Sequence, residues 1–566
     1  MSGDHGKERA GLAMLRSLRS YGVEYVFGNF GTDHPPFLEA AAEIQREDPD
    51  AIPEFIICPH ETVALSAAHG YAVSTGNPQA VIVHVDVGTQ NLGAMVHNAH
   101  RGNAPVYIIA GLAPHSQGGQ PESRDSWVHY LQDVYDQPGI VREFCRWTAE
   151  YRAPADPDEL VARGLQLAST PPEGPVYLTA TRESLAAQVS TDIGSRDVAG
   201  VDRRQADPAM VERIAGAING ADAPLVLTSK IGSRDPDRSV DALVRFAEAA
   251  GAGVLESGPA SLCFPRNHEL HVGHTTDRPF ERADLLLLVD VDIPWVPSQD
   301  DVPEDLTIFH IDRDPEKAAY PRWDFPIDYR VTANATATLE AVTDRLADSA
   351  PADTSVWTDL HASQRTSWEE TVAADRSDHH LSAATLTDTI DAHVDDETIV
   401  VNESTTNNLA VLRGITRDLP GSYYFSHGSG LGWAPGAGVG VKLAHPDKRV
   451  VTLVGDGSYV FGNPTASAWV QGAFDAPTLT IVLNNSGWNA VHAANLRVHP
   501  EGRGATEGTP GSAFEPRMEL SHAAHVVDAH SESVTEYAAL EEAVAAGFEA
   551  VDAGTPAVLD VHLDPI

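Results

Sequence analysis

Short apolar runs recur along this chain with enough residues between them for one helix each, and that rhythm limits the possible folds more than any other feature. The runs fall at 80–85, 106–110 and 176–179, at 225–228, 285–291 and 307–311, and at 398–401, 450–454 and 479–483. Runs that are apolar on both faces suit parallel strands whose sheet is covered by helices on both sides. The class is therefore α/β, built from doubly wound parallel sheets. At 566 residues the chain is too long for one hydrophobic core. Polar stretches at 190–208 and 348–355 read as linkers, dividing it into three units at 1–188, 200–346 and 375–566, with a helical connector near 357–371.

Charge narrows the partners. Asp and Glu number 81 against 38 Lys and Arg, and the resulting −43 is spread along the chain. Such a field repels nucleic acid and anionic membranes, so neither is an expected partner, and the excess matches the hydration strategy of a salt-loving organism. No apolar run reaches the roughly 18 residues a spanning helix needs. Met1-Ser2-Gly3-Asp4-His5-Gly6 lacks the charged start and apolar stretch of a secretory signal, so a cytoplasmic protein is expected. Cys58, Cys145 and Cys263 are isolated and odd in number, as reduced thiols would be.

The chemistry concentrates near the C-terminus. The strand at 450–454 runs into Gly455-Asp456-Gly457-Ser458, and 26 residues separate Gly457 from Asn484-Asn485-Ser486-Gly487 at the end of the next strand. Parallel sheets gather ligands at their carboxyl edges, and glycines let the backbone approach a phosphate. Asp456, the Asn485 amide oxygen and a backbone carbonyl would give a hard cation three oxygen ligands. Two phosphate oxygens and a water could then complete an octahedral Mg²⁺. Either motif alone is more often a turn; their spacing behind two strong strands is what points to a ligand site. No Gly-x-Gly-x-x-Gly has the spacing a dinucleotide site requires.

That pairing matches the thiamine-diphosphate signature. Asn402-Glu403-Ser404-Thr405-Thr406 and the segment 420–444 resemble benzoylformate decarboxylase and its acetolactate-synthase-like relatives. The resemblance implies a pyrimidine-binding N-terminal domain, a Rossmann-like central domain and a diphosphate-binding C-terminal domain. Thr405 and Thr406 would contact the diphosphate of thiamine diphosphate, with Gly455, Gly457 and Ser458 beside it. Asp456, Asn485 and the Gly487 carbonyl would hold Mg²⁺. Leu431 would be the wedge under the cofactor, and the Ser429 carbonyl would accept from its 4′-amino group.

The cofactor's carbanion chemistry needs a carboxylic acid beside its pyrimidine ring. The run 56–72, with Glu61 in the first turn of an Ala-rich helix and Gly70-Tyr71-Ala72 at its end, resembles the family's activating-glutamate segment. In the loop after 26–28, Thr32 stands where benzoylformate decarboxylase has a substrate-binding serine. His84, at the end of a strand expected to run into a polar loop, falls where that enzyme has an active-site histidine and acetolactate synthases typically have none. His115 and His129 lie in the following loop region and could reach the pocket. Two departures remain: the second histidine expected near Pro297-Ser298 is missing, and Trp433 replaces a phenylalanine-like residue expected beside the cofactor. The loops 228–233 and 292–298 do not match a flavin site, so FAD is not expected.

The resemblance implies attack on a 2-oxo acid, loss of CO₂ to an enamine, and protonation to an aldehyde. Capture of the enamine by a second carbonyl compound, as in acetolactate-type carboligation, is the alternative. A non-catalytic paralogue would be expected to lose Glu61 or the metal ligands. A homodimer or homotetramer is expected, since the family builds each site from two subunits.

Overall fold

The computed structural model describes residues 7–565 apart from 191, 195, 199, 202, 203, 348 and 349. The opening hexapeptide and parts of both expected linkers lie outside the described residues.

Three all-parallel sheets organise the chain. The N-terminal sheet runs, from edge to edge, Glu54–Ile57, Tyr25–Asn29, Gln79–Val83, Val106–Leu112, Val176–Thr181, Trp147–Tyr151. The C-terminal sheet runs Tyr423–Phe425, Thr398–Glu403, Arg449–Gly455, Leu479–Asn484, Ala557–His562, His530–Val534. Both sheets share one topology: the second strand in sequence lies outside the first, and the last two are exchanged. Each therefore reverses winding direction between its first and third strands, the place where α/β sheets open a crevice at their carboxyl ends. The central sheet, Gly253–Glu256, Pro224–Thr228, Leu285–Val289, Thr307–Asp312, Tyr329–Thr332, repeats the same start. A 23-residue helix, Ser355–Ser377, forms the connector.

Two differences from the sequence reading have physical causes. Strand Gln79–Val83 ends before His84, and Val85–Asn91 is a helix where a polar loop was expected. The Val85 N–H leaves the ladder and donates to Asp33 Oδ2 at 3.2 Å, with Val85 held at φ 31°. The outer strands Trp147–Tyr151 and His530–Val534 escaped notice because each is half-exposed and mixed in polarity, as edge strands can be.

Helix Glu61–Thr75 has almost no polar face because it is buried between domains. It packs backbone to backbone on helix Ala434–Ala444. A Cβ at Gly70 would stand 2.3 Å from the Ala437 carbonyl oxygen, one at Gly436 2.6 Å from Ser66 Cβ, and one at Gly440 1.9 Å from the Ala67 carbonyl oxygen. Gly436 faces Val63 and Ser66, and Gly440 faces Ala67 and Tyr71, so the two helices run the same way and bring their N-termini to one end. Gly440→Val should force the helices apart and destabilise the protein by about 1–3 kcal/mol, the usual cost of overpacking. An unchanged denaturation midpoint would show that the two helices can separate freely. Among the described residues, no helix is long and apolar enough to cross a membrane.

Candidate active site

The C-terminal half of the site forms where strand Arg449–Gly455 turns into helix Asp456–Phe461. Asp456 Oδ1 accepts the Gly457 N–H at 2.7 Å, and Oδ2 accepts the Gly487 N–H at 3.0 Å, tying the Gly-Asp-Gly and Asn-Asn turns together. Burial pushes the Asp456 carboxyl above its ordinary range, against the pull of those N–H groups. A cation beside it would reverse that shift. Thr405 and Ser486 hold left-handed backbone at φ 49° and 59°, the kind of local strain that concentrates at functional sites.

These turns enclose a cavity of about 150 Å³ lined by Thr405, Thr406, Leu431, Gly455, Asp456, Gly457, Ser458, Asn485, Gly487 and Trp488, among others. Asn485 Oδ1 and Ser458 Oγ, both on that lining, are buried without a protein hydrogen-bond partner. Such orphaned oxygens are costly unless a ligand or water satisfies them. Among the described residues no Lys or Arg lines the cavity, so a diphosphate placed there would need a metal ion to balance its charge. The donor set, one carboxylate, one orphaned amide oxygen and several hydroxyls, fits a hard cation bridged to phosphate. A side chain at either motif glycine would crowd its neighbours. A Cβ at Gly457 would lie 2.1 Å from the Trp488 ring, and one at Gly455 would lie 3.1 Å from Thr405 Oγ1.

Leu431 is half-buried on the cavity wall, and Ser429, on the same loop, is exposed. Trp433 corrects an expectation. Far from lining the cavity, it is fully buried in the core, edge-on to His69 at 5.2 Å, because it precedes the first turn of the helix that packs on the N-terminal domain. Trp488 is the aromatic residue that reaches the cavity, packed against Phe461 and Phe514.

The N-terminal half of the site sits on the carboxyl edge of its own sheet. Glu61 is the first residue of its helix and is buried; Asn29 Nδ2 donates to Oε1 at 2.9 Å and Asn91 Nδ2 to Oε2 at 3.2 Å. Two neutral amides hold this carboxylate, and among the described residues no cation pairs with it. His84 lies between Asp33 Oδ1, 2.5 Å from Nδ1, and Gln132 Oε1, 3.1 Å from Nε2. Burial lowers the His84 pKa, but hydrogen bonding and charge from Asp33 outweigh it and leave it above the ordinary imidazole range. The neighbouring His34, fully buried, is pushed down by burial, against the pull of the Asp33 charge. Gly31 is required here, since a Cβ would lie 2.0 Å from His84 Nδ1. Thr32 Oγ1 lies 3.3 Å from His129 Nε2, which brings the buried His129 into this cluster. His115 is outside it, exposed beside Glu183 at 3.5 Å.

Thus Glu61, His84 and Thr32 gather on one sheet edge, and Thr405, Thr406, Leu431, Asp456, Asn485 and Gly487 on another. The cavity lining comes wholly from residues 405–491 and does not include Glu61. Sequence reasoning missed Asn29, Asp33, Asn91 and Gln132, which orient Glu61 and His84. Asn29 and Asp33 flank the Gly31-Thr32 pair and could have been suspected from it; Asn91 and Gln132 carried no signal.

An orphan-oxygen cavity on one α/β domain and an amide-held carboxylate on another are the parts expected of an enzyme that holds a diphosphate cofactor between domains. The comparisons make this specific. Models of the thiamine pyrophosphate enzyme N-terminal, central and C-terminal domains match residues 8–140, 211–342 and 404–561, and the chain belongs to that family. It is 26% identical to benzoylformate decarboxylase of Pseudomonas aeruginosa over 495 residues, covering 85% of this chain and 86% of that protein. It is 25% identical to an acetolactate synthase large subunit of Mycobacterium tuberculosis, covering 98% and 96%. A solved 4-hydroxybenzoylformate decarboxylase of Rhodococcus jostii superposes with a TM-score of 0.80 at 23% identity, covering 99% of this chain and 100% of that one.

Proposed function

We propose that the protein decarboxylates a 2-oxo acid with thiamine diphosphate and Mg²⁺, in the manner of benzoylformate decarboxylase. The observation that carries the reading is the pair of orphaned oxygens, Asn485 Oδ1 and Ser458 Oγ, beside Asp456 in a phosphate-sized cavity free of Lys and Arg. Asp456, Asn485 and the Gly487 carbonyl hold the metal; Thr405, Thr406 and Ser458 bind the diphosphate. When bound, the thiazolium supplies the electron sink for the carbanion left as CO₂ departs. Glu61, held by Asn29 and Asn91, exchanges a proton with the pyrimidine. Thr32 and the His84–Asp33 pair orient the substrate carboxylate, and His84 moves protons near neutral pH.

Acetolactate-type ligation of the same intermediate to a second carbonyl compound is the alternative. The His84–Asp33 pair favours decarboxylation, because acetolactate synthases typically carry no histidine there. The loops 228–233 and 292–298 favour a flavin-free enzyme. The test is a screen of 2-oxo acids with product analysis, with and without thiamine diphosphate and Mg²⁺. The expected result is cofactor-dependent CO₂ and aldehyde, with no flavin absorbance in the purified protein. A coupled hydroxy-ketone as the main product, or a stoichiometric yellow cofactor, would move the reading to a carboligase.

One chain holds two half-sites, and apolar side chains stand exposed near each. Trp127 and Leu131 are 74% and 69% exposed in the segment that carries His129; Phe461, packed on the cavity's Trp488, is 58% exposed. Exposed apolar surface of this kind marks an interface. In this reading the active unit is a dimer, in which Glu61 of one protomer meets the Asp456 cavity of the other.

A further inference from the structure

The loop 426–434 carries Leu431, and all three domains grip it. From the N-terminal domain, the fully buried Asn98 makes a two-point clamp on Gly430: Nδ2 donates to the Gly430 carbonyl at 2.7 Å and Oδ1 accepts its N–H at 2.9 Å. His97, one residue earlier, lies 3.2 Å from Ser429 Oγ. From the C-terminal domain, Glu403 accepts the Gly432 N–H at 2.7 Å on Oε1 and the Ala434 N–H at 2.8 Å on Oε2. From the central domain, Asp292 Oδ2 lies 3.3 Å from His427 Nε2.

The loop sequence is shaped to these grips. A Cβ at Gly428 would lie 2.3 Å from Asn98 Oδ1, one at Gly430 2.5 Å from Ala94 Cβ, and Gly432 takes φ 97° against Gly462. His427 also sits at φ 54°. Glu403 is nearly fully buried with no cation paired to it, and burial pushes its carboxyl up to about 7 against the backbone N–H groups. A carboxylate is costly in such a place unless its hydrogen bonds fix something that matters. The residue it fixes, together with Asn98, is the one between the two clamped glycines.

We propose that Asn98 and Glu403 are positioning residues that hold Gly430 and Gly432 from two different domains of one chain, and so set the height of Leu431 under the cofactor. The role assigned to Leu431 rests on the proposed function; the clamp itself does not. Asn98 works on the loop of its own chain, whereas in the proposed dimer Glu61, thirty-seven residues earlier in the same domain, serves the cavity of the partner.

Two measurements on the full-length protein test this separately. The first uses no cofactor: deuterium uptake of the peptide spanning 426–434, read by mass spectrometry. N98A should speed exchange there roughly tenfold or more, the effect of losing protecting hydrogen bonds, while the sheet peptides keep wild-type rates. E403Q should do the same, because an amide cannot accept both N–H groups, and it decides the matter if N98A does not fold. Wild-type uptake in a folded variant overturns the clamp. The second is subunit mixing. N98A should regain activity when mixed with E61Q, which supplies an intact loop and cavity, but not with D456A, which lacks the metal ligand. Rescue by D456A instead overturns the assignment of Asn98 to its own chain's loop. If the wild-type protein fails to bind thiamine diphosphate in calorimetry, the proposed function falls, and the uptake measurement still decides the clamp.

Discussion

Glu61→Gln should leave thiamine diphosphate bound and slow exchange of its thiazolium proton by about 10²–10⁴, the range for a general acid–base group. Gln keeps the volume and can still accept from Asn29 or Asn91, though not from both, so a modest loss of stability is expected beside the chemical effect. What it cannot do is release and regain a proton. The two donors are neutral amides, one on each carboxylate oxygen, and they fix its orientation. Exchange into deuterated water, stopped with acid and read by NMR, measures the step directly. Wild-type exchange in the Gln protein would mean that another group activates the cofactor.

Asp456→Ala should lower Mg²⁺-dependent cofactor affinity by about 100-fold or more, since it removes the carboxylate of the proposed ligand set and the link between the two turns. Retained affinity in calorimetry would contradict the metal assignment. Mixing this protein with Glu61→Gln protein should then restore part of the activity. The two residues lie 395 positions apart on different sheet edges, and a mixed dimer rebuilds one intact site from the healthy half of each chain. No recovery after verified subunit exchange would refute the shared site. With −43 on each protomer, the proposed interface would depend on screening, so activity and dimer should fall together as salt is withdrawn.

The sequence by itself determined the class of fold and many of the residues that line the cavity. Parallel strands buried on both faces must be nearly continuous in apolar residues, so 285–289 and 479–483 announced themselves. A phosphate loop needs glycine, carboxylate and amide at strand ends, so Asp456 and Asn485 were visible in one dimension. Edge strands such as Trp147–Tyr151 were hidden because half-exposed positions accept either polarity. Only the tertiary structure decided what holds these residues in place. Asp33 meets His84 across 51 positions, Asn91 meets Glu61 across 30, and Asn98 meets Gly430 across 332. Hydrogen bonds that close such loops leave no local periodicity. Asn98 looks like any polar residue on a helix, and Glu403 like any acid at the end of a strand. Trp433 reads as a pocket aromatic until helices Glu61–Thr75 and Ala434–Ala444 close on each other through Gly70, Gly436 and Gly440 and draw it into the core. A side chain's neighbours are set by which faces pack, and packing is a property of the assembled domains.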